Sequence, residues 1–391
     1  MIHVLVRSDV QREWLRKLSG LETAIKERAA RVDESGLFPA ENFSDLGKIG
    51  YTKTTLPHTH GGDGLTVYDM VLLQETLARF DGSTALCMGW HLSVIGELYE
   101  KKLWNDSSLD FLAKEVERGA LLNRAVSEAQ TGSPTRGGIP QTTAVKQGGK
   151  WIITGRKAFT STSPILTYFL VSAWMEEKEA VGTFLLHRDT PGLWIDETWD
   201  SISLRGTGSH DLVLEQVAAD DEQLVEQYQL PKKPELNGWL LHIPACYLGI
   251  AQAARDFAVH FANHHAPNSI SGTISQLPNV QQLIGEMDLE LMKVRHFLYG
   301  VADAYGDPAR KGFLTTEIGA AKHAVTNTAI AVVDKAMRIA GLKSLQRNNP
   351  LQRYYRDVRA GLHNPPMDDA TIRQIALAAI EQDREKSGKE A

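Results

Sequence analysis

The chain has 391 residues, of which 42% are hydrophobic, 23% charged and 7% aromatic, and its formal net charge is −6. At about 150 residues per domain this length allows two or three domains, and the composition excludes disordered, collagen-like and coiled-coil classes. An acidic balance without a block of like charge argues against a nucleic-acid surface, and two distant cysteines, Cys87 and Cys246, argue against a disulfide framework. No run approaches the roughly 18 apolar residues that would span a membrane, and Met1 to Arg7 lack the basic and apolar segments of a signal peptide. A soluble cytoplasmic protein is expected.

Helical spacing opens the chain. Leu15, Leu18, Leu21 and Ile25 recur at intervals of three and four, one face of a helix, and Met70, Leu73, Leu77 and Phe80 repeat the pattern. Between them, Leu56 to Gly64 is a loop by its proline and glycine content. From about Leu121 to Gln216 the period falls toward two. Ala144 to Ile153 predicts a hairpin around Gly148-Gly149, and Thr167 to Trp174, Val181 to Leu186 and Leu212 to Val217 predict further strands. No long helix intervenes, which points to an antiparallel barrel or sandwich and not to a βαβ sheet.

Asp220 to Pro234 is polar and proline-bearing, a natural linker. Beyond it, a helix is expected around Leu236 to Ala262, kinked at Pro244. Val280, Leu283, Ile284, Met287, Leu291, Val294 and Leu298 form one apolar stripe. Ile318, Val325, Val332, Ala336 and Ile339 form a second, closed by Gly341 where a C-cap glycine belongs. The tail after Gln382 is expected to fray. The order is α, β, α, with domains expected at residues 1–120, 121–220 and 232–391.

Local chemistry is sparse. No Gly-x-Gly-x-x-Gly follows a strand, no phosphate-binding P-loop occurs, and no His-Glu-x-x-His is present. His58 with His60, and His264 with His265, lack an obvious third ligand, so no metal site is expected. Ser133 and Ser161 are not in a nucleophile elbow.

Five segments nevertheless fall in one order. Ala125 to Ser133 (AVSEAQTGS) resembles the flavin-binding stretch of the acyl-CoA dehydrogenase family, aliphatic-Thr-Glu-x-x-x-Gly-Ser. Pro57 to Leu65 is similar to the family's Pro-x-x-x-Gly-Gly-x-Gly loop, Gly155 to Ser161 to its Gly-x-Lys-x-Trp-Ile-Thr, Ser203 to Thr207 to its Gly-x-Arg-Gly-Ser/Thr, and Arg356-Asp357 to the Arg-Asp before its catalytic segment. The resemblance implies a helical N-terminal domain, a middle β-barrel and a C-terminal four-helix bundle, assembled as a homotetramer around FAD or FMN. It implies flavin contacts from Val126, Ser127, Gly132, Ser133, Phe159, Thr160 and Ser161, with Phe159 in place of the family's tryptophan and Ser161 in place of its threonine. Arg347 or Lys343 is a candidate for the flavin phosphate.

The departures from that family carry as much information. Its usual base is a glutamate eight residues after the Asp of Arg-Asp, and here that residue is Pro365. The alternative glutamate, before a Leu-Gly-x-x-Gln segment, falls on Trp239. Pro267 and Ile270 stand where the family's Arg and Phe hold the adenine end of FAD, so FAD should bind less well, or FMN instead. By contrast, His91, His363 and Ser161 resemble the active-site residues of a sister group, the two-component flavin monooxygenases such as the dibenzothiophene monooxygenases. Those enzymes take reduced flavin from a separate reductase and oxygenate a small organic substrate. A histidine near neutral pKa suits proton donation in such a reaction. The expected function is therefore a reduced-flavin monooxygenase acting on a small, sulfur-containing or other organic molecule, with His363, His91 and Ser161 as catalytic residues. The alternative is an acyl-CoA dehydrogenase whose base is displaced to Glu75, Glu97 or His363.

Overall fold

The computed structural model of the chain describes residues 2–131, 138–231 and 235–387, and its elements run helix, sheet, helix. Six helices come first: α1 (Asp9–Ser19), α2 (Glu22–Ser35), α3 (Ala40–Lys48), α4 (Val67–Ala78), α5 (Gly82–Lys101) and α6 (Asp106–Glu117). Ser8 and Thr66 start α1 and α4 with reciprocal capping boxes. The expected face from Leu15 to Ile25 is broken in two, because Gly20, a poor helix former, ends α1. Leu18 and Ile25 are nonetheless both fully buried. Helices α4 and α5 are buried on nearly every side, as their all-round apolar sequences require.

The middle part holds eight strands, β1 (Leu122–Ala125), β2 (Thr143–Gln147), β3 (Lys150–Thr160), β4 (Tyr168–Met175), β5 (Ala180–His187), β6 (Leu193–Asp196), β7 (His210–Ala219) and β8 (Leu224–Tyr228). They pair in the order β6-β7-β3-β2-β4-β5-β8, with β1 joined in parallel to β4. Among the described residues β6 and β8 end this path and do not pair with each other. The β2–β3 hairpin turns on Gly148 and Gly149, both at positive φ as a tight primed turn demands. Strands β3 and β7 run antiparallel with an irregularity between Lys157 and Thr160.

The last part is helical: α7 (His242–His264), α8 (Pro278–Gly306), α9 (Pro308–Lys311), α10 (Glu317–Ala340), α11 (Pro350–Asp357) and α12 (Asp368–Ser387). The expected kink at Pro244 is absent. Helix α7 begins at His242, so Pro244 lies in its first turn, where no intrahelical donor is lost. The α8 stripe is buried through Val280, Met287, Leu291, Val294 and Leu298. Gly341 ends α10 at φ +60°. Helices α7, α8 and α10 pack on one another, and α7 and α8 also pack on α4, while α12 lies along α10 with Ile372, Leu377 and Ile380 exposed.

One buried ion pair ties the sheet to the segment after β1. Lys157 on β3 is fully buried, and its Nζ donates to Glu128 Oε1 at 2.6 Å and to Ser172 Oγ at 3.2 Å. Glu128 also accepts from the Gln141 and Thr142 amides (2.7 and 3.0 Å) and from the Thr131 and Thr142 hydroxyls (2.9 and 2.8 Å). Burial disfavours the Glu128 anion, yet these donors, led by Lys157, outweigh it and hold the carboxyl at about 2. The depressed value gives the sign: this contribution to stability is complete above the ordinary carboxyl pKa and drains as pH falls toward 2. Glu128→Gln should leave an uncompensated buried ammonium and cost about 3–5 kcal/mol. Denaturant unfolding at pH 7 checks this, and a loss under 1 kcal/mol would contradict it.

Candidate active site

The segment after Lys157 departs from regular strand geometry. Phe159 adopts φ +56° and Thr162 φ +69°, left-handed conformations that cost such residues of order 1–3 kcal/mol each. Together with the β3 irregularity they turn Phe159 outward, 66% exposed, between buried Lys157 and buried Thr160. Trp199 meets the Phe159 ring edge-on, with centroids 6.4 Å apart. The Thr162 amide donates to Thr207 O at 2.8 Å, pinning the far side of the distortion.

Ser161 is half-buried and belongs to a run of hydroxyls. Its Oγ lies 2.8 Å from Ser209 Oγ, which lies 2.8 Å from Thr207 Oγ1, which donates to Leu204 O at 3.0 Å. Asn123 Nδ2 donates to Ser161 O at 3.1 Å, and the Ala158 amide to Ser127 O at 2.8 Å, so the two motif segments run side by side. Thr160 Oγ1 is buried with no hydrogen-bond partner among the described residues. Val126 and Ser127 are half-buried, and the Ala158–Ser127 bond places them beside the end of β3. Gly132 and Ser133, also expected at the site, lie outside the described residues.

This donor set fits a flavin. An isoalloxazine needs an aromatic neighbour and close hydroxyl or amide donors for its polar edge. Exposed Phe159, the unsatisfied Thr160 hydroxyl, and Ser127 and Ser161 supply those types in one strip.

His91 is not the free proton donor that the sequence suggests. It is 2% exposed, its Nε2 bonds Thr52 O at 2.8 Å, and its Nδ1 accepts the Leu122 amide at 3.2 Å. Burial drives its pKa down to about 4. Both nitrogens are committed to backbone, so the ring fixes the entry of β1 against α5 and has no proton to hand on.

His363, in contrast, is exposed, and its ring makes no hydrogen bond among the described residues. It follows a turn anchored on the hydroxyl loop: Asp357 Oδ1 accepts the Leu204 amide at 2.6 Å, and Asp357 O accepts Ser203 Oγ at 3.3 Å. Burial pushes the Asp357 carboxyl up to about 7. On the other side of that turn, Asn364 accepts the Tyr247 hydroxyl. Among the described residues His363 and Ser161 make no direct bond, and the 203–209 loop touches both Ser161, through Ser209, and the turn before His363, through Ser203 and Leu204.

The positions available to a carboxylate base are all occupied otherwise. Pro365 has no acid. Trp239 is buried, its indole donates to Glu100 Oε2, and its ring lies against Gly96, where a Cβ would come within 2.5 Å. Glu75 is fully buried between Arg295 (2.8 Å) and the Tyr299 hydroxyl (2.8 Å). Glu97 pairs with Lys101 at 3.1 Å and Arg124 at 3.5 Å.

Sequence reasoning missed His242, a fully buried histidine with neither nitrogen hydrogen-bonded among the described residues. Burial drives its pKa down to about 3. Trp90 meets it edge-on at 4.6 Å, and Gly89 is so close that a Cβ there would lie 2.3 Å from Nδ1. It missed the Glu128–Lys157 pair as well, although each residue stands inside a quoted motif.

Comparison with known proteins follows from this geometry. Family models of the acyl-CoA dehydrogenase N-terminal, middle and C-terminal domains match residues 11–101, 123–217 and 241–366. The provisionally named acyl-CoA dehydrogenase YdbM of Bacillus subtilis (strain 168) is 58% identical over 378 residues, covering 97% of this chain and 99% of that one. L-evernosamine nitrososynthase of Micromonospora sp. is 31% identical over 368 residues, covering 88% and 84%. TdsC from Paenibacillus sp. A11-2, solved with FMN and indole, has the same fold at TM-score 0.81 and 21% identity, covering 92% and 95%.

With both of its nitrogens in use, His91 should stay neutral throughout pH 5–8. A histidine signal that is lost in His91→Gln and has a midpoint near 4 by NMR titration would bear this out; a midpoint near 6.5 would show the ring exposed. Its folded pKa is depressed, so the stability it contributes is complete above about 6.5 and falls as pH drops toward 4.

Proposed function

The chain belongs to the acyl-CoA dehydrogenase family and is a flavin-dependent oxidoreductase, and from that premise we propose that it is a reduced-flavin monooxygenase acting on a small organic substrate. The observation that carries this reading is that neither family position for the base holds a carboxylate, and that Glu75 and Glu97 are tied to other groups. Dehydrogenation of an acyl thioester needs a group with a free lone pair within reach of the α-proton. Pro365 and Trp239 offer none, and Glu75 and Glu97 already spend theirs on cations and a phenol. The 31% identity to a nitrososynthase supports an oxidation at a heteroatom, nitrogen as well as sulfur.

When bound, reduced flavin supplies the electrons for oxygen activation. The chain's own residues do the rest. Phe159 and Trp199 pack the ring system and exclude water. Ser127 and Thr160 donate to its polar edge, and Ser161, held by Ser209, orients a hydroxyl beside them. His363 presents an exposed imidazole that makes no hydrogen bond among the described residues. Assembly as a homotetramer and delivery of reduced flavin by a separate reductase belong to the same proposal. No helix among the described residues is long and apolar enough to cross a membrane.

One observation favours dehydrogenation instead, the 58% identity to a chain named for that activity. In that case His363 would be the base, as the one candidate without a partner.

The discriminating experiment titrates the flavin-free protein with FAD and with reduced FMN, then adds butyryl-CoA without oxygen. Reduced FMN should bind at least about tenfold more tightly than oxidised flavin, and butyryl-CoA should not bleach it. Tight FAD that butyryl-CoA bleaches anaerobically would overturn the proposal. His363→Ala should abolish oxygenation while leaving flavin affinity within about twofold; unchanged turnover would remove His363 from the chemistry.

A further inference from the structure

A cavity of about 1170 Å³ lies between α2, α7 and α11; none of Val126, Ser127, Phe159, Thr160 and Ser161 lines it, whereas Arg347, the sequence's candidate for the flavin phosphate, does. Its cationic lining includes Arg205, Arg347, Arg353 and Arg356. Arg356 is already matched, with Nη2 2.6 Å from Asp33 Oδ2, and Arg79, also on the wall, is matched by Asp256 at 3.0 Å. Glu34, the remaining acid on the wall, is exposed.

The other three guanidiniums are not matched. Arg353 is only 8% exposed, and among the described residues it has no hydrogen bond and no carboxylate within 4 Å; its guanidinium lies over the Tyr354 ring, 5.3 Å from the centroid. The acids nearest to it are committed elsewhere. Asp33 holds Arg356, Asp81 accepts the Thr84 amide and hydroxyl at 2.8 and 2.6 Å, and Asp357 accepts the Leu204 amide at 2.6 Å. Arg205 Nε is buried without a partner, and its Nη1 makes only a long 3.4 Å bond to Ser201 O. Gly36, which ends α2 at φ +73°, leaves the room Arg205 occupies; a Cβ there would stand 2.8 Å from Nη2. The Arg347 side chain forms no ion pair or hydrogen bond among the described residues.

A guanidinium taken from water without an anion is costly, and its planar fork of donors matches phosphate oxygens two at a time. Asp33, Asp81 and Asp357 act on Arg353 from beyond direct contact, but three guanidiniums without a direct carboxylate partner around one cavity still favour an anionic ligand. The volume reaches nucleotide size, and Phe257 and Tyr354 add aromatic surface to the same wall. We propose that this cavity binds the diphosphate of a nucleotide-sized ligand through Arg205, Arg347 and Arg353, at a site separate from the flavin.

The test is calorimetric titration of the flavin-loaded protein with ADP and with inorganic pyrophosphate, while the flavin absorbance is followed. Both should bind saturably without displacing flavin. Arg347→Ala, at an exposed position that folding does not need, should weaken both by about tenfold or more, and Arg353→Met should abolish binding. The absence of saturable binding at millimolar concentration would overturn the proposal. So would ADP binding without pyrophosphate binding, which would mean the base alone is recognised. Flavin release on addition, or affinity unchanged in Arg347→Ala, would assign the anion to another site and overturn it equally.

Discussion

The site depends on one charge neutralised inside the protein. Lys157 has no contact with solvent, so its ammonium is tolerable only because Glu128 meets it at 2.6 Å. That requirement brings together two stretches of chain 29 residues apart. Once they are joined, Ala158 pairs with Ser127, and the hydroxyls of both segments share one strip. The five donors around Glu128 leave the carboxylate little freedom to rotate, which makes the pair a hinge pin as much as a source of stability. The distorted backbone at Phe159 and Thr162 is held against relaxation from that fixed point on one side and by the Thr207 carbonyl on the other.

On the function proposed above, the chain keeps the residue types that suit its family's cofactor, while Pro365 and Trp239 stand where the family carries a carboxylate base. The strip from Ser127 to Ser161 retains the residue types a flavin requires. Across from it, acidic groups survive in number but have become structural: Glu75 cements α4 to α8, and Glu97 joins α5 to Arg124 on β1. A carboxylate wedged between a guanidinium and a phenol is a poor base, since protonating it would break both contacts. Families that change chemistry on one fold do so in this way, by reassigning side chains around a conserved scaffold.

What could be read from the sequence was whatever is encoded locally or by motif. The Gly148-Gly149 hairpin, the α8 stripe and the Gly341 stop each depend on a few neighbouring residues, and each appears as expected. The misreadings had physical causes of two kinds. Gly20 and Pro244 act through their position within a turn, which spacing alone does not reveal: the one splits a predicted helix, and the other sits harmlessly at a helix start. The role of His91 depends on partners 31 and 39 residues away, and that of the guanidiniums at Arg205 and Arg353 on the lack of a carboxylate partner among the described residues. A histidine with a matching motif position looks catalytic until Thr52 and Leu122 are seen to hold both of its nitrogens.

The crossing of α5 and α7 has an evolutionary consequence. Trp239 and His242 can occupy their places only because Gly96 and Gly89 present bare backbone to them. Bulk on one helix is balanced by its absence on the other, so neither member of a pair is free to change by itself. A descendant that regained a carboxylate at position 239 would leave an indole-shaped void over Gly96, of the kind that costs about 3–5 kcal/mol when a large aromatic is lost from a core. Filling that void would need a larger residue at 96, which clashes for as long as Trp239 remains. The intermediate is unfavourable whichever change comes first. The packing therefore works as a ratchet that makes a carboxylate at position 239 hard to acquire.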